Sequence, residues 1–200
     1  MKNFEIWKTI TINKKPSTKG INISSYASDM LKKVKWNKKQ TLDLVKVTVQ
    51  DLFNDENIHT TDEIFAKAKE QGLDLCPPQV GLQLRVEYKD QPMNEWLYMG
   101  MKLMTDSFGY PNVFGLARNV GGLWLHDRWA EPDHQWDPRR EFVFSLRKSF
   151  KLKPLESLDP LTLAASESNK LQFIEFTMLK YANNEVGLIE GAEEILEYFK

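Results

Sequence analysis

Phe4, Ile6, Lys8, Ile10 and Ile12 occupy alternate positions with Glu5, Trp7, Thr9 and Thr11 between them. That period of two predicts a strand over about residues 3–12. The polar run 13–20 contains Pro16 and Gly20 and reads as a turn, after which Ser24 or Ser25 can cap a short helix. Tyr26, Met30, Leu31 and Val34 would form the buried stripe of that helix. Leu42, Leu44, Val45, Val47 and Val49, with Asp43, Lys46 and Thr48 interleaved, predict a second strand that pairs with the first. Thr60 and Glu63 have the spacing of a capping box and open a helix that runs to about Gln71. Ile64, Phe65 and Ala68 give this helix one apolar face, and Gly72 stands where a left-handed C-cap is needed. Pro77 and Pro78 then interrupt any helix or central ladder.

From Val80 to Lys148 the pattern changes to a succession of strands and turns. Leu82, Leu84, Val86 and Tyr88 alternate with polar residues, and Asp90, Gln91, Pro92 and Asn94 form a turn into a strand at 96–104. A turn at 105–112 and another at 119–122 follow, and Phe142, Phe144 and Leu146 alternate in the last strand. Beyond Lys148, Pro154 and Pro160 mark a break. Leu171, Ile174, Met178 and Tyr181, then Leu188, Ala192, Ile195 and Phe199, repeat at helical spacing around Asn183 and Asn184. The expectation is an α+β protein with a mainly antiparallel meander and helices packed on one face. Residues 1–150 would form its main domain. Residues 151–200 would add a C-terminal helical hairpin, packed on that domain or on a second copy.

Composition narrows the class without naming it. The chain has 200 residues, 42% hydrophobic and 28% charged, as expected of a folded domain. No stretch reaches the roughly 18 apolar residues of a membrane span. The charged N-terminus differs from a secretory leader, so the expectation is a cytoplasmic protein without membrane attachment. The single cysteine, Cys76, leaves no intrachain disulfide and no paired thiolate ligands. Its apolar neighbours Leu73 and Leu75 point to an inert buried thiol.

The net charge of −1 conceals a gradient: residues 1–50 carry 11 lysines against 3 acids, and residues 51–100 carry 4 bases against 10 acids. A basic segment can bind a phosphate backbone. These lysines lack an arginine fork and are spread over a turn and a loop, so a solvated edge is the stronger reading.

Phosphate loops, nucleophile elbows and HExxH motifs are absent from the sequence, and no cofactor is evident. One polar concentration stands out: His126, Asp127, Arg128, Glu131, Asp133, His134 and Asp137, interleaved with Trp124, Trp129 and Trp136. Imidazole and carboxylate together suit a divalent metal, with His126, Asp133 and His134 as candidate ligands. Trp129, Trp136 and Arg128 are the candidates for a binding surface, whereas Trp96 and Trp124 suit a core. Asp90 and Glu95 could act as paired carboxylates, although turn chemistry accounts for them more simply. His59, just ahead of the capped helix, belongs to a loop.

The stretch Leu75-Cys76-Pro77-Pro78-Gln79-Val80-Gly81-Leu82-Gln83-Leu84-Arg85, followed by Tyr88-Lys89-Asp90-Gln91-Pro92 and Glu95-Trp96-Leu97, resembles a family of bacterial hypothetical proteins. The resemblance covers roughly residues 40–150. It implies a bacterial, cytoplasmic origin and carries over no activity and no catalytic residue. Three functions follow from the residues: a non-enzymatic protein-interaction or oligomerising module, a metal-dependent hydrolase or nuclease using the 126–137 cluster, and a nucleic-acid binder using the N-terminal lysines. The first leads, because no catalytic constellation stands out.

Overall fold

The computed structural model describes residues 4–36 and 38–147, and the C-terminal helical hairpin expected from the sequence lies outside them. Strand β1 (Lys8–Ile12) buries Ile10 and Ile12 and pairs antiparallel with β3 (Gln40–Thr48), with Ile10 opposite Leu42. Between them lie the short β2 (Asn22–Ile23) and helix α1 (Ser25–Lys33), whose N-cap is Ser24. Ala27, Met30 and Leu31 are the buried residues of α1, whereas Tyr26, expected in its buried stripe, is exposed.

Thr48 caps the one-turn α2 (Val49–Phe53), which ends on Asn54 in the left-handed region. After β4 (His59–Thr60), helix α3 (Thr61–Glu70) starts from the expected reciprocal capping box of Thr60 and Glu63. Gly72, at φ +88, permits the tight exit into β5 (Leu73–Asp74).

The next segment departs from the sequence reading. Leu82, Leu84 and Val86 belong to a helix, α4 (Gln79–Glu87), and Tyr88 is its C-cap. Val80, Gly81, Leu82, Leu84 and Arg85 are all buried, and Gln79, Gln83 and Glu87, four apart, make its less buried polar stripe. Because Arg85 is buried among the apolar residues, apolar and polar positions alternate over 82–88 and mimic the period of a strand. Pro78 does not obstruct it: with φ −61 and ψ −20, it stands at the helix start, where its missing N–H costs nothing. Asp90 to Asn94 therefore link a helix to a strand and close no hairpin.

The remaining elements are β6 (Trp96–Met99), β7 (Met104–Thr105), β8 (Pro111–Asn119), β9 (Gly122–Trp129), β10 (Gln135–Trp136) and β11 (Glu141–Leu146). The main sheet runs β1-β3-β11-β6-β8-β9-β2, with β5 on β11 and β7 on β8, and β4 and β10 form a separate pair. β11 is parallel to β6 and β2 is parallel to β9, so the sheet is mixed. Seven of its nine strands curl through 208° into a half-barrel. The expected antiparallel meander is thus incorrect. After β9 the chain crosses back and inserts β11 between β6 and β3, an order that local turn signals do not encode.

Helices also cover both faces of the sheet, not one. Phe65 of α3 meets Phe142 and Phe144 edge-on, while Gly81 of α4 lies against Phe114. The register aligns Phe142 with Tyr98 and Gly115, which places Phe114, the next residue on β8, on the opposite face. No helix among the described residues is long and apolar enough to cross a membrane.

Candidate functional site

Strand alternation divides the polar segment around residue 126. On β9, His126 and Arg128 point to one face, and Asp127 and Trp129 point to the other. His126 is stacked with Trp96 and Trp124, at ring separations of 5.2 and 5.0 Å. His134 lies against Trp129 and Trp136 at 5.1 and 4.9 Å. Burial lowers the pKa of both imidazoles; Asp127 opposes the shift at His126, and Arg128 reinforces it at His134. Asp133 is exposed. Among the described residues no three His, Cys, Asp or Glu side chains converge as a metal site.

The other nominated residues have structural partners. Trp136 is 2% exposed and donates its indole N–H to Thr61 Oγ1 at 2.9 Å, tying β10 to α3. Arg128 lies over the Trp136 ring at 5.7 Å. Asp137 is bound by Arg139, whose guanidinium holds the carboxylate well below its usual range. Glu95 pairs with Lys46 at 2.9 Å, while Asp90 is exposed. Cys76 is buried and donates to Val143 O, and desolvation pushes its thiol far up. His59 stacks on Phe53 and bonds Asp55. The two tryptophans assigned to the core differ: Trp96 is exposed and Trp124 is partly buried.

Asp127 and Trp129 instead line a pocket of about 330 Å³ with Tyr26, Asp106, Phe108, Tyr110 and Asn112. Tyr26 comes from the first turn of α1, and Phe108 meets its ring edge-on at 6.0 Å. Phe108 and Tyr110 sit in the tight loop between β7 and β8. Asp106 organises that loop: its Oδ1 accepts the amides of Phe108 and Tyr110 at 2.8 and 3.0 Å, and its Oδ2 accepts from Asn112 Nδ2 at 3.3 Å. Gly109, at φ +89, makes the turn possible. Lys33, in the last turn of α1, donates to Thr105 O and Oγ1 and to Asp106 O, which fastens the loop to the helix.

Of the five large aromatic side chains exposed among the described residues, four (Tyr26, Phe108, Tyr110 and Trp129) belong to this pocket. Trp129 is the one member that the sequence singled out for exposure. The overlooked signal was Phe108 and Tyr110 themselves, two large aromatics in a turn otherwise built of Asp106, Ser107, Gly109 and Pro111. The chain matches no protein-family model, and neither curated proteins nor solved structures show a match to it.

Proposed function

We propose that this chain is a non-enzymatic interaction module that docks a protein partner on the pocket formed by Tyr26, Phe108, Tyr110 and Trp129. The observation that carries the reading is the convergence of four exposed aromatics in one place. Aromatic side chains are enriched at interfaces and supply most of the energy of binding hot spots. Their placement on a helix start, a pinned hairpin loop and a strand end holds them in position before binding, which lowers the ordering cost of association. The bacterial, cytoplasmic setting implied by the resemblance over roughly residues 40–150 belongs to the same proposal.

The N-terminal lysines give less support to nucleic-acid binding. Lys33 and Lys46 are committed to Thr105 and Glu95, Lys32 pairs with Asp29, and Lys8 lies over the rings of Trp7 and Tyr88.

The test is a selection of displayed peptides on the full chain, with each hit measured again on a Phe108→Ala/Trp129→Ala variant. Peptides that bind the wild type and lose at least about tenfold in affinity on the variant bear out the docking reading, since truncated hot-spot residues cost about 2 kcal/mol or more. Hits that bind both proteins equally would overturn it.

A further inference from the structure

We infer that the group the pocket accepts is a guanidinium, presented as an arginine side chain by the partner protein; this rests on the docking reading above and specifies its ligand. Among the described residues the lining carries two carboxylates, Asp106 and Asp127, and no lysine or arginine. Asp106 is spent on its own loop. Asp127 Oδ1 accepts the Ser24 hydroxyl at 2.6 Å, and its Oδ2 accepts no hydrogen bond from the described residues. Asn112, only 3% exposed, commits its Nδ2 to Asp106 Oδ2 and Tyr110 O, while its Oδ1 accepts none from the described residues. The pocket therefore sets open acceptors, one of them charged, beside aromatic rings.

A ligand for such a site needs positive charge, N–H donors and a flat surface that stacks on rings. Guanidinium has all three and is weakly hydrated. A primary ammonium is strongly hydrated, and burying it against rings would strip donors that the pocket's few free acceptors cannot satisfy. A quaternary ammonium suits the rings but donates nothing to Asp127 or Asn112. The exposure of the rings, from 40% at Tyr26 to 71% at Phe108, favours a side chain over a free small molecule. Small-molecule sites bury roughly 70 to 90% of their ligand. Here the surrounding interface would supply the missing cover.

The experiment titrates the ¹⁵N-labelled full chain with N-acetyl-arginine amide, N-acetyl-citrulline amide and N-acetyl-trimethyllysine amide, following the Trp129 indole N–H. The expected result is a saturable shift with the arginine compound. Citrulline, the neutral isostere, should bind about tenfold more weakly or not at all, and Asp127→Asn should weaken arginine to a similar extent. Phe108→Ala, at an exposed loop position, gives a second variant should Asp127→Asn fail to fold, and it too should weaken arginine binding. Equal binding of arginine and citrulline, tighter binding of trimethyllysine, or no saturable shift would each overturn the inference. Displayed peptides that need Phe108 and Trp129 yet tolerate arginine replaced by citrulline would leave the docking reading standing and remove the arginine assignment alone.

Discussion

The Ser24 hydroxyl serves two elements at once: it donates to Asp127 Oδ1 at 2.6 Å and accepts the Ala27 amide at 3.3 Å. One side chain thus caps helix α1 and joins it to strand β9, and so sets Tyr26 and Asp127 at their positions in the pocket. Ser24→Ala removes a cap and a charge-assisted hydrogen bond, together about 1 to 2 kcal/mol. In a chain of this length the melting midpoint should fall by roughly 2 to 8 °C. Ser25→Ala, at an exposed position that makes neither bond, is the control and should stay within about 0.5 kcal/mol of wild type. Equal effects of the two variants in urea unfolding would show that Ser24 does not hold α1 to the sheet.

His126 and His134 give the fold a pH dependence of defined sign. Burial lowers the pKa of both below 6.5, so the folded state favours the neutral imidazole. Their contribution is complete above pH 6.5 and is lost as pH falls through the lower folded values. Stability should decline as pH falls below about 6.5, ahead of the window in which Asp55 and Glu63, also lowered, begin to protonate. His134 Nε2 is buried with no hydrogen-bond partner among the described residues, and His126 is held by ring stacking, so phenylalanine can replace either. The His126→Phe/His134→Phe variant should show a flatter profile of urea midpoint against pH below about 6.5. An unchanged slope would place the proton linkage elsewhere.

What the sequence made legible was local. The β1–β3 pairing, the Thr60–Glu63 capping box and the β8–β9 hairpin around Asn119 and Gly122 each follow from a period or a turn signal within a short span. Helix α4 escaped because a buried Arg85 makes apolar and polar residues alternate over 82–88 as in a strand, and the parallel β6–β11 pairing because nothing near Leu97 indicates Glu141 as its partner. The pocket escaped for the same reason. The β8–β9 register sets Trp129 opposite Asn112 and so beside the Phe108 loop, but Tyr26 joins them only because β2 lies along β9 and Ser24 bonds Asp127, 103 residues on.

The approach of Gly100 to Phe144 makes a sharper test of that sheet. A Cβ at position 100 would overlap the Phe144 ring, which is itself buried between neighbouring strands. Gly100→Ala forces the ring or the backbone to move and should cost about 1 to 3 kcal/mol. Gly100→Ala/Phe144→Leu, which vacates the ring, should recover part of that cost. If the double variant proves less stable than Gly100→Ala by the full cost of the Phe144 truncation, the contact is not the cause.

Arg85 is fully buried in α4, and its hydrogen-bond acceptors are neutral: Gln91 Oε1, Tyr88 O and Ala117 O. Burial brings its pKa down to about 10, so it is still charged at neutral pH. Gln91, equally buried, accepts from Arg85 and donates to Glu95 O and Leu116 O, which makes it the bridge between the charge and strands β6 and β8. Gln91→Ala strips the charge of an acceptor and orphans two carbonyls, a loss of about 3 to 5 kcal/mol by the precedent of buried charges left unpaired. Arg85→Met removes the charge but leaves the Tyr88 and Ala117 carbonyls short of a donor. Once one partner is gone, part of the penalty for losing the other has already been incurred. The double variant Arg85→Met/Gln91→Ala should therefore be more stable than additivity predicts, by about 1 to 3 kcal/mol. Urea unfolding of the four proteins closes the cycle, and additivity within about 0.5 kcal/mol would show that Gln91 does not support the buried charge.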